Sequence, residues 1–379
     1  MKYLLVDQLH SRARSLIAAF EQRGGTNCID EAIVLDREAL ELCPPGHPKR
    51  GISLTQLGVA LGHRYDQLGG MMDLEEAIVL NRDALVLRPP GHPDRDISLG
   101  NLAADLGTRY DQFGGIEDLN EAILLDRDVL ALRPPGHPNR ATSLSNLAVD
   151  LSTRYGQFGA IEDLNEAILL DRDALALRPP GHPDRSMSLN NLAIRLSTRY
   201  GQVGGIEDLN EAILLDRDAL ALRPPGHPDR SLSLNSLANG LSARYGQFGG
   251  IEDLNEAILL SRDALALRPP GHPAHATSLN SLANRLSTRY GQFGAIEDLN
   301  EAILLIRDAL ALRPPGHPAR ATSLNSLANR LSTRYGQFGG IEDLNEAILL
   351  SRDALALRPL GHPARATSLN SLANRLSTR

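Results

Sequence analysis

HPAHATSLNSLANRLSTRYGQFGAIEDLNEAILLIRDALALRPPG, residues 272–316, decides the fold. Its apolar residues fall into two stripes at helical spacing. In the first, Ala276, Leu279, Leu282, Ala283 and Leu286 recur at three- and four-residue steps and so share one face of a helix, here called helix A. The pattern predicts helix A over Pro273–Tyr290, with Pro273 in the first turn, where a missing N–H costs little. In the second stripe Leu299, Ala302, Ile303, Ile306 and Leu310 face inward on a helix B predicted over Asp298–Arg313. Asp298 and Glu301 form its capping-box-like start, and Pro314 with Pro315 its stop. The Gly-Gln-Phe-Gly stretch after Tyr290 supplies the glycines of a reversal, and both connections are short enough to force antiparallel neighbours.

This unit recurs along the chain. The histidine of its Gly-His-Pro string stands at His47, His92, His137, His182, His227, His272, His317 and His362, every 45 residues, with a unit boundary near each. One hairpin leaves apolar surface on both flanks and is stable only when stacked. The register extends back to the start, where Leu9, Ala13, Leu16 and Phe20 occupy helix A positions. The expectation is therefore an all-α solenoid over residues 1–379, a right-handed superhelix of eight antiparallel hairpins plus one unpaired helix A starting at Pro363, with no separate catalytic domain. In that last helix Leu369, Leu372, Ala373 and Leu376 repeat an interior pattern, so the sequence predicts that something covers it, whether further chain, a partner helix or a second copy end to end.

Composition narrows the class. Aromatic residues are only 4% and tryptophan is absent, so the core is built from Leu, Ile and Ala. No apolar run approaches the roughly 18 residues of a membrane span and the start is too short for a secretory signal, giving the expectation of a cytoplasmic protein without membrane contact. Cys28 and Cys43, the only cysteines, are expected on one helix about 22 Å apart, too far to bridge. A net charge of -7 argues against nucleic acid. Charge also drifts: residues 96–140 carry eight acids and four Arg, residues 276–320 four acids and five Arg.

The order of features resembles the tetratricopeptide repeat, with Leu279, Leu282, Ala283 and Leu286 at the spacing of its first signature positions and Ala302, Ala309 and Pro314 at later ones. His317, Pro318, Ala321, Thr322, Ser323, Leu324, Asn325, Leu327 and Ala328 are similar in particular to repeats of kinesin light chain. The unit is longer than the usual tetratricopeptide repeat of about 34 residues, the excess lengthening helix A and the turn after it. The DLNEAI and LRPPGHP strings also look like the repeat arms of proteins that end in a CHAT domain, a caspase-like peptidase fold.

Periodicity itself bears on function, because a catalytic site is a single constellation whereas most polar residues here recur in every unit. The unique residues, among them His10, Cys28, Cys43, His63 and His275, assemble no nucleophile and base. The histidine series is too widely spaced for shared metal ligation, the Asp126–Asp128 type of pair points to different helix faces, and no glycine-rich loop precedes a lysine. The tyrosines that end helix A and the phenylalanines three residues later are expected as plugs between hairpins. Arg285 and Arg289 are expected to pair with acids such as Asp298 or Glu301 in the stack. No enzyme, metal or cofactor is implied.

The resemblance implies that the helix A face beside the core lines a concave groove. By that mapping Thr277, Asn280, Asn284 and Ser287 point into it, as do Asn190, Asn235, Asn239, Asn325, Asn329, Asn370 and Asn374, an amide ladder able to hold a peptide backbone. The N-terminal equivalents Gly100, Ala104, Ser145 and Val149 are smoother. The expected function is a scaffold or adaptor that binds a protein or peptide along this face. The alternative is the sensing or regulatory arm of a larger effector such as a CHAT peptidase.

Overall fold

A computed structural model describes residues 2–23, 26–359 and 364–378, so His362 and Pro363 lie outside the described residues. Among the described residues there are seventeen helices and no strand. They divide between two compact units, Met1–His182 and Pro183–Arg379. The first unit holds α1 (Lys2–Arg23), α2 (Thr26–Glu41), α3 (Arg50–Leu68), α4 (Met71–Val86), α5 (Arg95–Phe113), α6 (Ile116–Leu132), α7 (Arg140–Phe158) and α8 (Ile161–Ala176). The second holds α9 (Arg185–Val203), α10 (Ile206–Ala221), α11 (Arg230–Phe248), α12 (Ile251–Ala266), α13 (His275–Phe293), α14 (Ile296–Ala311), α15 (Arg320–Phe338), α16 (Ile341–Ala356) and α17 (Arg365–Thr378). Odd-numbered helices are A helices and even-numbered ones B helices. Within each unit every helix packs on its neighbours in the chain, which gives layered αα-hairpins.

The predicted stripes form the core. In α13 Leu279, Leu282, Ala283 and Leu286 are buried, and Leu299, Ala302, Ile303 and Ile306 of α14 share one core cluster with Leu282, Ala283 and Leu286; Ala276 and Leu310 are half-buried. Truncating one such leucine costs about 2–5 kcal/mol, through lost burial and the cavity left behind.

The turn forms one step later than expected. Helix A runs on through Gly291, Gln292 and Phe293, and Gly294, at φ 71°, takes the left-handed conformation, its N–H bonding the Tyr290 carbonyl at 2.7 Å. An L side chain at that φ would be strained. Ala295 is extended and α14 begins at Ile296. Phe293 is consequently carried out to solvent and is not a plug, as are Phe113, Phe158, Phe248 and Phe338. The tyrosines do pack, Tyr245 and Tyr290 against the core of the second unit and Tyr155 almost fully buried.

The expected capping box is also absent. Asp298 does not cap α14; its carboxylate takes both branches of the Arg289 guanidinium at 2.7 Å, tying the end of helix A to the start of helix B. The same two-pronged bridge joins Arg64 to Asp73, Arg109 to Asp118, Arg154 to Asp163, Arg199 to Asp208, Arg244 to Asp253 and Arg334 to Asp343. The acid sits in the first turn of its helix, where the helix dipole also favours it.

The prolines end each B helix, and the next histidine shapes the following turn. Gly316 sits at φ 94°, the His317 N–H bonds the Pro314 carbonyl at 3.0 Å, and the ring Nδ1 accepts the Ala319 N–H at 3.1 Å. Helix A therefore starts at Arg320, later than the proline-based reading, because the histidine turn holds the two residues before it. Cys43 lies just past the end of α2, not on it; both cysteines are free.

Candidate functional site

The predicted amide ladder divides into two rows with different surroundings. Asn190, Asn235, Asn280, Asn325 and Asn370 form the first. Asn190 is buried, its Nδ2 donating to Asp216 Oδ1 at 2.8 Å while its Oδ1 accepts from Ser233 Oγ at 2.9 Å and from Arg223. Asn235 and Asn280 are half-buried and donate to carbonyls of their own helices, Ser231 and Ala276. Asn325 donates to Ser368 Oγ on the next helix A at 3.0 Å. Asn370 alone in this row is exposed. In this row Asn190 and Asn325 join neighbouring helices, while Asn235 and Asn280 are turned back onto their own.

Asn239, Asn284, Asn329 and Asn374, the second row, are exposed. The first three each have their oxygen held by the next A helix. Arg285 donates Nη2 to Asn239 Oδ1 at 2.6 Å and Nε to Ser242 Oγ at 2.9 Å. Arg330 does the same to Asn284 and Ser287, at 2.6 and 2.7 Å, and Arg375 to Asn329 and Ser332. With the oxygen fixed, each amide is oriented, and its NH2 group has no hydrogen bond among the described residues. Thr277, two turns before Asn284, is exposed.

Arg285 thus has different partners from those expected. It makes no ion pair with Asp298 or Glu301, since Asp298 belongs to Arg289 and Glu301 to Arg262. Arg285, Arg330 and Arg375 are buried and bonded to neutral groups, and desolvation pushes the first two down to about 10, which leaves them charged at neutral pH. Two pockets open beside them. One of about 350 Å³ has Asn329, Ser332, Tyr335, Ser371, Asn374 and Arg375 in its wall, the other, of about 200 Å³, Asn239, Tyr245, Asn284 and Arg285. Neither has an acidic wall residue.

The first unit differs at the same places. The arginine row becomes Ala60, Asp105 and Asp150, and the Asn/Ser row becomes Val59 with Gly62 and Ala104 with Gly107. Arg285, Arg330 and Arg375 thus follow an Asn and a Ser one repeat earlier and Arg195 a Val and a Ser, Val149 and Ser152, while Asp105 and Asp150 follow small or apolar residues.

One constellation escaped the sequence reading. His10 bonds Asp36 Oδ1 through Nδ1 at 2.9 Å and Ser53 Oγ through Nε2 at 3.0 Å. The order is that of a hydrolase triad, but Asp36 and Ser53 are 0% exposed and His10 4%, so no substrate reaches the hydroxyl. His10 stands in register with Asn190 four repeats on, which likewise bridges an aspartate and a serine. The trio is a buried link between hairpins, and the repeat register was the signal that could have found it.

No family model matches the sequence, and no curated protein does. Solved structures do share the architecture. A Signal Transduction ATPase with Numerous Domains from Pyrococcus horikoshii, which carries a tetratricopeptide repeat sensor, aligns at TM-score 0.57 with 14% identity over 92% of this chain, which spans 47% of that protein. A human IFIT1 dimer solved with PPP-AAAA aligns at TM-score 0.53 and 14% identity, covering 93% of this chain and 68% of that one. A Podosopora anserina kinesin light chain of nearly identical TPR-like repeats is 25% identical over 59% of this chain and 96% of its own, at TM-score 0.44. The chain is a tetratricopeptide-like α-solenoid of repeated helical hairpins.

Proposed function

We propose that the chain is a non-enzymatic scaffold that holds an extended polypeptide against the helix A face of its second unit. The observation that carries this reading is the row of Asn239, Asn284 and Asn329, each exposed and each with its oxygen fixed by an arginine of the next hairpin, which leaves its NH2 group as the free donor. Donors repeated at one-hairpin intervals suit backbone carbonyls of an extended chain. The adjoining pockets, arginine-walled and free of acids, favour acidic side chains on the ligand.

The partner in this reading is protein, not nucleic acid or membrane. Among the described residues no helix is long and apolar enough to cross a membrane. Selection of random peptides on the chain tests the proposal, with a variant carrying Asn239→Asp, Asn284→Asp and Asn329→Asp in parallel. Aspartate keeps an acceptor for each arginine while removing the donor and adding repulsion. Acidic peptides retained by the first and lost by the second are expected; peptides that bind both equally contradict the reading, as does retention of a 5′-triphosphate oligonucleotide in their place.

A second reading is a sensing or regulatory arm of a larger effector, a CHAT peptidase among them. The tetratricopeptide sensor of the Pyrococcus protein is the observation in its favour. In that case the ligand of the same face is another segment of the same polypeptide, and end-to-end association through Leu369 and Leu376 of α17, both partly exposed, is a further route. Sedimentation of the chain over a concentration series tests the latter, a constant monomer mass counting against it.

A further inference from the structure

The first unit contains a pocket that the peptide reading does not use. It opens between α5 and α7 over α6, has a volume of about 230 Å³, and is walled by Ala103, Ala104, Val149, Asp111, Asp126 and Asp150. Asp126 is 3% exposed, and among the described residues no hydrogen bond or ion pair reaches it. Arg133, the positive charge that acts on Asp126, is committed elsewhere, with Nε on Asp96 at 2.7 Å and Nη1 on Ser143 at 2.8 Å.

The preceding repeat shows what this arrangement departs from. There Asn81, on α4, stands in the place of Asp126, and Asp105, on α5, in the place of Asp150. Asn81 Nδ2 donates to Asp105 Oδ2 at 2.7 Å, so that carboxylate has a donor, while Asn81 Oδ1 is buried without a hydrogen-bond partner among the described residues. One repeat later both places hold carboxylates, and a donor has become an acceptor. Gly107 leaves Asp150 without a side-chain donor on its other flank, since even a Cβ there would be 3.7 Å from Asp150 Oδ1. A buried and a half-buried carboxylate facing one cavity are both favoured by a retained proton or a bound cation.

We propose that this pocket is a binding site for an alkylammonium group, of the kind carried by a lysine side chain, with Asp126 and Asp150 as its two anionic walls. The apolar part of the wall, Ala103, Ala104 and Val149, receives the alkyl stem. A compact metal ion is the poorer fit, since no group of three or more His, Cys, Asp or Glu suited to one occurs among the described residues. The charged groups facing the pair are Asp111 from α5 and Arg133 from the end of α6. Burial pushes both Asp126 and Asp150 up to about 7, Asp126 further by Asp150 and Asp150 further by Asp111, so an incoming ammonium displaces protons at neutral pH.

The test is titration of the full chain with n-butylammonium, followed through the side-chain carboxyl carbon signals of Asp126 and Asp150, with n-butanol as the neutral control. Asp126→Asn rebuilds the Asn81–Asp105 pair, and Asp126→Ser installs the residue found at Ser261 and Ser351, so both are side chains the repeat already accommodates. Saturable binding of n-butylammonium that tightens from pH 6 to pH 8, weakened about tenfold or more in both variants, is the expected result. Absence of saturation in the unsubstituted chain overturns the proposal. Equal affinity in Asp126→Asn, or equal affinity for n-butanol, also overturns it.

Discussion

Arg330 on α15 reaches back to α13 and donates to Asn284 Oδ1 at 2.6 Å, so the residue that presents an amide to solvent is held by a buried charge of the next hairpin. Structure and proposed recognition therefore meet in one side chain, and substitutions at Asn284 must be chosen to separate them.

Asn284→Ala removes an acceptor from a buried guanidinium and is expected to cost about 1–3 kcal/mol, because the group left behind loses its partner without regaining water. Asn284→Asp, which restores an acceptor and adds charge complementarity, is expected to be neutral or stabilising. Urea unfolding midpoints compare the two, and a destabilisation of similar size in both would contradict the arrangement.

Arg330→Met behaves differently from Asn284→Ala. Arg330 has no carboxylate partner to strand, and replacing a buried ion with an apolar side chain of similar length is often neutral or stabilising. The repeat tolerates Ala60 and Gly240 at this position. The expected change is within about 1 kcal/mol in stability, together with loss of affinity for acidic peptides. Unfolding and peptide titration on the same sample check both parts.

Leu282→Ala is expected to cost about 2–5 kcal/mol and Phe293→Ala within about 0.5 kcal/mol, although phenylalanine is the larger residue. Leu282 is 1% exposed in the core and Phe293 58% exposed beyond its helix. Thermal unfolding of the two variants decides between this placement and an aromatic plug between hairpins.

The contrast between Leu282 and Phe293 also shows what could be read from sequence. The apolar stripes, the proline stops and the 45-residue period fix helix count, pairing and core faces, since burial at helical spacing is a local property. The turn was misplaced because Gly291 and Gly294 look alike in sequence, and only the backbone decides which takes the positive φ. The face was legible as a polar strip but not as two rows. Asn280 and Asn284 are one turn apart, yet one bonds its own helix and the other is held by Arg330, a difference that depends on residues a full repeat away. Arg285 was misread for the same reason, its acceptors being 43 and 46 residues earlier.

Stability should depend on pH through aspartates that folding desolvates, Asp126 and Asp216 buried and Asp105 and Asp150 half-buried. Asp105 is raised to about 6 and Asp126, Asp150 and Asp216 to about 7, each mainly by desolvation. A carboxyl with a raised folded-state value binds more protons folded than unfolded between pH 4 and its own value. Its contribution therefore favours folding as pH falls from 8 toward 4 and is lost as pH rises through 6 to 7. Melting temperatures from pH 5 to pH 8 should fall, and Asp126→Asn should flatten the slope while raising stability at pH 8 by roughly 1–3 kcal/mol. A flat or opposite profile would contradict the burial of these groups.

The most direct test of the central claim is to follow the side-chain NH2 resonances of the asparagines while a selected acidic peptide is added to the chain. The account predicts that Asn239, Asn284 and Asn329 shift together and saturate at one peptide concentration, while Asn235 and Asn280, bonded to Ser231 and Ala276, hold still. Shifts confined to residues of the B helices, or of Asn235 and Asn280 ahead of the outer row, would contradict it.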